Sequence, residues 1–128
     1  MSAYWDKAVE AAAAARLLLR AGSYDGAANR AYYAMFNAAR ASLEARTDLK
    51  LQDVRRHSAV LQLFSLHVVK PGLVPAKLSG DLNEVFQARA VADYAAISVP
   101  AEDAQELIEL MDQMLAAVGR LLGNEERP

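Results

Sequence analysis

The chain has 128 residues, a formal net charge of −2, 54% hydrophobic residues and 23% charged ones. That length suits one compact domain, and the composition excludes an intrinsically disordered chain. Cysteine is absent, which excludes disulfides, thiolate metal sites and a cysteine nucleophile. The longest stretch free of Asp, Glu, Lys and Arg runs from His57 to Val69, far below the ~20 apolar residues that cross a bilayer. The opening Met1-Ser2-Ala3-Tyr4-Trp5-Asp6 has neither a basic start nor an apolar signal core, so the expected location is cytoplasmic, with no membrane association.

Helical signals run end to end, with proline only at 71, 75, 100 and 128. A first helix is expected from Ser2 to Ala21, with Trp5, Val9, Ala12 and Leu19 on one stripe and Gly22 as its stop. Ser23 suits the N-cap of a second helix reaching Ala45. A loop follows from Arg46 to Val54, then a third helix from Arg55 to Val69, broken by Lys70-Pro71-Gly72. Pro75 opens a fourth helix that ends near Asp93. Ser98 to Pro100 opens a fifth, running to Gly123. On the fifth, Ala104, Ile108, Met111, Leu115, Val118 and Leu122 alternate steps of four and three, which is a bundle seam. The expected architecture is an all-α antiparallel bundle of about five helices over residues 1–123, with a short polar tail at 124–128.

Charge is unevenly placed along these helices. Residues 1–70 carry ten bases and six acids, whereas residues 98–128 carry two and seven. A positive first half suits an anionic ligand, and an acidic last helix equally suits neutralisation within the same fold.

Polar groups on faces that packing would keep apolar mark candidate sites. On the second helix Tyr32, Met35, Phe36, Ala39 and Leu43 form a broad apolar face, and Ala27, Ala34, Ala38 and Ala41 a small-residue face. Between them runs a stripe of Arg30, Tyr33, Asn37 and Arg40, expected to line a cleft or a solvated edge. On the fourth helix the apolar stripe reads Leu78, Leu82, Val85, Phe86 and Ala92, and Arg89 falls within it, one turn before Asp93. A charge there is either paired with Asp93 in an i,i+4 bridge or aimed at an anion beside Tyr94. His57 begins the third helix, where backbone N–H groups favour anions. His57 and His67 lie ~15 Å apart along one helix axis and cannot share a metal. The sequence presents no metal-ligand cluster, no phosphate-binding glycine loop and no implied cofactor.

The ordered set of Asn29-Arg30-Ala31-Tyr32-Tyr33-Ala34-Met35-Phe36-Asn37-Ala38-Ala39-Arg40, Arg56-His57-Ser58-Ala59-Val60-Leu61 and Arg89-Ala90-Val91-Ala92-Asp93-Tyr94 resembles the HEPN superfamily, in its branch of short prokaryotic proteins. The likeness spans about Ser23 to Leu122. It implies a helical bundle that pairs into a homodimer, with the fourth-helix motifs facing each other across a cleft. It also implies metal-independent cleavage of RNA, or binding of RNA or a nucleotide, by a toxin encoded beside a minimal nucleotidyltransferase antitoxin. The superfamily's catalytic motif is Arg, four to six residues, then His. Arg89 matches the Arg, but Tyr94 stands after four intervening residues, and Asn37 stands where relatives often carry His. Tyrosine, with an ordinary pKa near ~10, is a poor base at neutral pH, so Asp93 or His57 must substitute if RNA is cut. The expected catalytic group is therefore Arg89, Asp93, Tyr94 and His57, with Arg30, Tyr33, Asn37 and Arg40 lining the cleft. Two other readings stay open: a non-catalytic module that holds a nucleotide or the nucleotidyltransferase, and a structural Arg89–Asp93 pair with no ligand.

Overall fold

A computed structural model describes residues 2–123, and the polar tail expected at 124–128 lies outside the described residues. Among these, the elements are α1 (Ala3–Arg20), α2 (Tyr24–Arg46), a 3-10 turn (Leu51–Asp53), α3 (His57–Phe64), a π-helical turn (Ser65–Val69), α4 (Leu78–Tyr94) and α5 (Ala101–Leu122). The all-α bundle of five helices is what the periodicity predicts. No described helix is long and apolar enough to cross a membrane.

Local chemistry sets the boundaries. Ser2 caps α1 by accepting from the Trp5 N–H at 3.3 Å. Gly22, at φ +79°, closes α1 with Ser23 N–H donating to the Leu18 carbonyl and Gly22 N–H to that of Leu19. Ser23 is the N-cap residue of α2, as its position suggests, but its side chain makes no capping bond. The third helix is not continuous α-helix to Val69. It widens after Phe64, where Lys70 N–H donates to the Ser65 carbonyl five residues back. Gly72, at φ +83°, then ends the segment. The fourth helix starts at Leu78 rather than Pro75, because Pro75 opens a single turn in which its carbonyl accepts from Leu78 N–H.

α2 is the central element. Thirteen of its 23 residues are buried, and it touches α1, α3, α4 and α5. α1 packs on it through Ala8, Ala11, Ala12 and Ala15. Of the predicted stripe, Ala12 is buried and Trp5 and Leu19 are partly buried against the core, and Val9 alone turns out, 47% exposed. At Gly119 of α5 an added Cβ would lie 3.2 Å from the Trp5 indole, so a larger residue there would require the ring to shift by a few tenths of an ångström. Five of the six seam residues on α5 are buried, and Leu122 is partly covered. α4 touches α5 only sparsely. The connection between them is tied to the start of α2, where Val99 N–H donates to the Asp25 carboxylate at 2.7 Å.

Candidate active site

The site assembles from three helices that meet beside the core. α2 contributes Tyr32, the N-terminus of α3 contributes His57, and α4 contributes Asn83, Phe86, Arg89 and Asp93. The His57 and Phe86 rings stack at 3.8 Å between centroids, with planes 8° apart. Tyr32 lies beside both, at 5.7 Å from the His57 ring and 5.5 Å from that of Phe86. The Arg89 guanidinium sits 5.0 Å from the Tyr32 ring centre and 5.9 Å from that of Phe86. This is cation–π geometry, which offsets part of the cost of removing the charge from water.

Hydrogen bonds thread the cluster. His57 Nδ1 is 3.3 Å from the Tyr32 hydroxyl, and its Nε2 is 3.4 Å from Asn83 Oδ1. Arg89 Nε is 3.4 Å from an Asp93 oxygen, in the i,i+4 relation expected from spacing. The geometry falls short of a hydrogen bond, so Nε is a buried N–H without an acceptor. Tyr94 is 84% exposed at the end of α4. The four residues expected to be catalytic thus divide: Arg89, Asp93 and His57 converge on one cluster, and Tyr94 points away into solvent.

Burial governs the titration of this cluster. It pushes the Tyr32 hydroxyl up to about 12, against an opposing pull from Arg89, so Tyr32 keeps its proton. It also holds His57 below its ordinary value; the Asn83 contact counters this and Arg89 adds to it. The folded protein therefore prefers neutral His57, and the unfolded chain binds more protons in the window between the lowered value and the ordinary 6.5. This contribution to stability is whole above the unfolded value and is lost as pH falls through the folded one. Replacing His57→Gln should flatten the acid side of the stability profile, measured as denaturant midpoints between about pH 5 and pH 8. An unchanged slope would mean that His57 is equally hydrated in both states.

The α2 stripe does not join this cluster. Arg30 lies over the Tyr33 ring at 4.7 Å, and both face Lys7 and Glu10 of α1 around a cavity of about 240 Å³. Asn37 is buried and donates to the Tyr33 carbonyl of its own helix at 3.0 Å. Arg40 packs over Tyr4 at 4.4 Å and donates to the Leu51 carbonyl at 2.6 Å, fastening the loop after α2. The expected single cleft is split because Tyr32 and Tyr33, adjacent in sequence, point ~100° apart on the helix. Arg40→Ala should cost about 1–3 kcal/mol by stranding the buried Leu51 carbonyl, read as a lower denaturant midpoint. An unchanged midpoint would mean that the loop after α2 holds without this bond.

Between α4 and α5 a groove of about 510 Å³ opens, lined by residues other than the Arg89 cluster. Val91, Ile97 and Leu107 give it apolar walls, and Glu84, Asp103 and Glu106 border it without any basic residue. Among the described residues no three His, Asp or Glu side chains converge to hold a metal ion. Two members of the Arg89 cluster are not evident from sequence. Tyr32 reads as part of an apolar face, and only its hydroxyl hints at a partner. Asn83 lies beside that stripe with no signal of its own.

A HEPN domain family model matches residues 1–121. A UPF0332 protein of Gloeobacter violaceus is 35% identical over 105 residues, covering 80% of this chain and 80% of its own. A UPF0332 protein of Thermotoga maritima is 32% identical over 126 residues, covering 97% of this chain and 92% of its own. A Methanocaldococcus jannaschii protein named as a toxin candidate is 32% identical over 104 residues, covering 80% and 68%. No solved structure matches the chain.

Proposed function

This chain belongs to the HEPN domain family, and on that premise we propose that it is a toxin-like cytoplasmic homodimer that binds RNA and cleaves it without a metal ion. The observation that carries this reading is Arg89, a side chain 22% exposed on the apolar stripe of α4, whose Nε is buried without an acceptor and whose charged partner is Asp93. A partly buried cation that is incompletely paired, with the rest of its guanidinium open to solvent, is stabilised by an incoming phosphate, whose geometry it matches.

In the reaction the 2′ oxygen attacks the adjacent phosphorus and the bond to the 5′ oxygen breaks, giving a cyclic phosphate and a 5′-hydroxyl end. One proton leaves the 2′ oxygen and one reaches the 5′ oxygen. Arg89 stabilises the negative charge that accumulates on the phosphorane, and Asp93 orients it. The proton and hydrogen-bond work falls to Asp93, beside Arg89, and to His57, which shares the aromatic cluster with Arg89. Tyr94, exposed beyond them, is available to a stacked base, or to nucleotidyl transfer by a nucleotidyltransferase antitoxin that silences the toxin. The toxin candidate among the relatives supports the toxin-like part of this reading.

A second reading, a non-catalytic module that holds the nucleotidyltransferase, is favoured by the groove between α4 and α5. Its apolar walls and three carboxylates suit a protein surface and repel RNA. Incubation with end-labelled RNA in excess chelator separates the two. Cleavage supports the first reading, and a stable protein complex with no cleavage of any RNA supports the second.

A further inference from the structure

Tyr32 makes the tautomer of His57 a structural property of the fold. Its hydroxyl is buried and protonated, and a buried O–H needs an acceptor. Its one hydrogen-bond partner among the described residues is His57 Nδ1, and the nearby Arg89 offers donors only. Tyr32 therefore donates, Nδ1 accepts with its lone pair, and the ring proton resides on Nε2. The other end of the ring agrees, because Nε2 faces the carbonyl oxygen of Asn83, which can only accept. Stacking on Phe86 fixes the ring plane. The result is an imidazole whose lone pair points inward and whose N–H points toward the exposed Asn83, on the same aromatic platform that carries Arg89.

We propose that Arg89 and the Nε2–H of His57 form one subsite for the oxygens of a phosphate group, with Tyr32 as the positioning residue that holds the imidazole in its donor tautomer. A phosphate oxygen takes the place of Asn83 Oδ1 at Nε2, and the guanidinium supplies the charge. Under the RNA-cleavage reading, on which this assignment rests for its substrate, His57 grips the phosphate and proton removal falls to Asp93. The same donors would hold the phosphate of a free nucleotide, so the ligand class is a phosphate ester.

Imidazole ¹⁵N NMR on a His67→Gln background, where His57 is the single histidine, tests this directly. The expected spectrum shows Nε2 protonated and Nδ1 bare at neutral pH. Addition of 2′-O-methylated RNA, which cannot be cut, or of a nucleoside monophosphate should move the Nε2 signal and the Arg89 Nε signal together. Whichever probe does so identifies the source of the phosphate. Tyr32→Phe keeps the ring and removes the hydroxyl; it should mix the tautomers and weaken the responding probe about tenfold. A proton on Nδ1 in the parent protein, or signals unmoved by both probes at saturation, would overturn the subsite. RNA cleavage that persisted in that case would leave the nuclease reading intact, whereas the expected NMR result without cleavage would reject that reading alone.

Discussion

Arg89→Ala should lower metal-independent RNA cleavage by about two to three orders of magnitude while the helical content and assembly state persist. The size follows from removing the cation that the proposed reaction places at the developing phosphorane charge, a loss of roughly 3–4 kcal/mol of transition-state stabilisation. The fold should survive because the side chain lies at the edge of the core, where its stacking on Tyr32 is worth about 0.5–1 kcal/mol. Arg89→Lys should recover only a small part of the activity, since an ammonium keeps the charge and loses the planar fork that grips two phosphate oxygens. Circular dichroism and sedimentation beside the cleavage assay separate the outcomes. Undiminished cleavage by Arg89→Ala would remove Arg89 from the site. A monomer or an unfolded chain would point instead to the structural Arg89–Asp93 pair.

The largest effect on stability is expected at Phe64→Ala. Phe64 is fully buried where α3 passes into the π-turn, and it belongs to the core shared with α2. Deleting its ring removes transfer free energy and leaves a cavity, at a cost of about 3–5 kcal/mol. Against a total of about 5–15 kcal/mol for a domain of this kind, that is a large share. The midpoint temperature should drop by on the order of 10–20 °C. Because α3 also carries His57, the cluster with Tyr32 and Phe86 should be lost in the same transition. A cost below about 1 kcal/mol would mean that this segment packs loosely in spite of the complete burial of Phe64.

The helices were legible because their signals are local. Gly22, Gly72 and Gly123 mark three ends, and the four-and-three steps from Ala104 to Val118 mark the buried seam of α5. What sequence cannot carry is the rotation of one helix against another. On α1 the expected stripe holds at Trp5, Ala12 and Leu19, and only Val9 turns outward, because Ala8, Ala11 and Ala15, hydrophobically weak one by one, share the buried face. The π-turn after Phe64 also escapes periodicity, since its five-residue hydrogen bond alters the register by a single residue. At the candidate site Arg89 stood out because a cation on an apolar stripe demands an explanation. The meeting of His57 with Tyr32 joins residues 25 positions apart on separate helices, and no spacing rule reports it. Conversely, Arg30, Tyr33, Asn37 and Arg40 look alike on a helical projection, yet they face a small cavity on α1, a backbone carbonyl within α2 and a loop beyond it.

The measurement that reaches the central claim most directly is the chemistry of the ends left on RNA. The protein is incubated in excess chelator with an end-labelled RNA and with the DNA of the same sequence. A site that uses the 2′-hydroxyl as nucleophile predicts 2′,3′-cyclic phosphate and 5′-hydroxyl ends on the RNA, and DNA left intact. Cleavage of both polymers, ends bearing 5′-phosphate, or intact RNA throughout would contradict it.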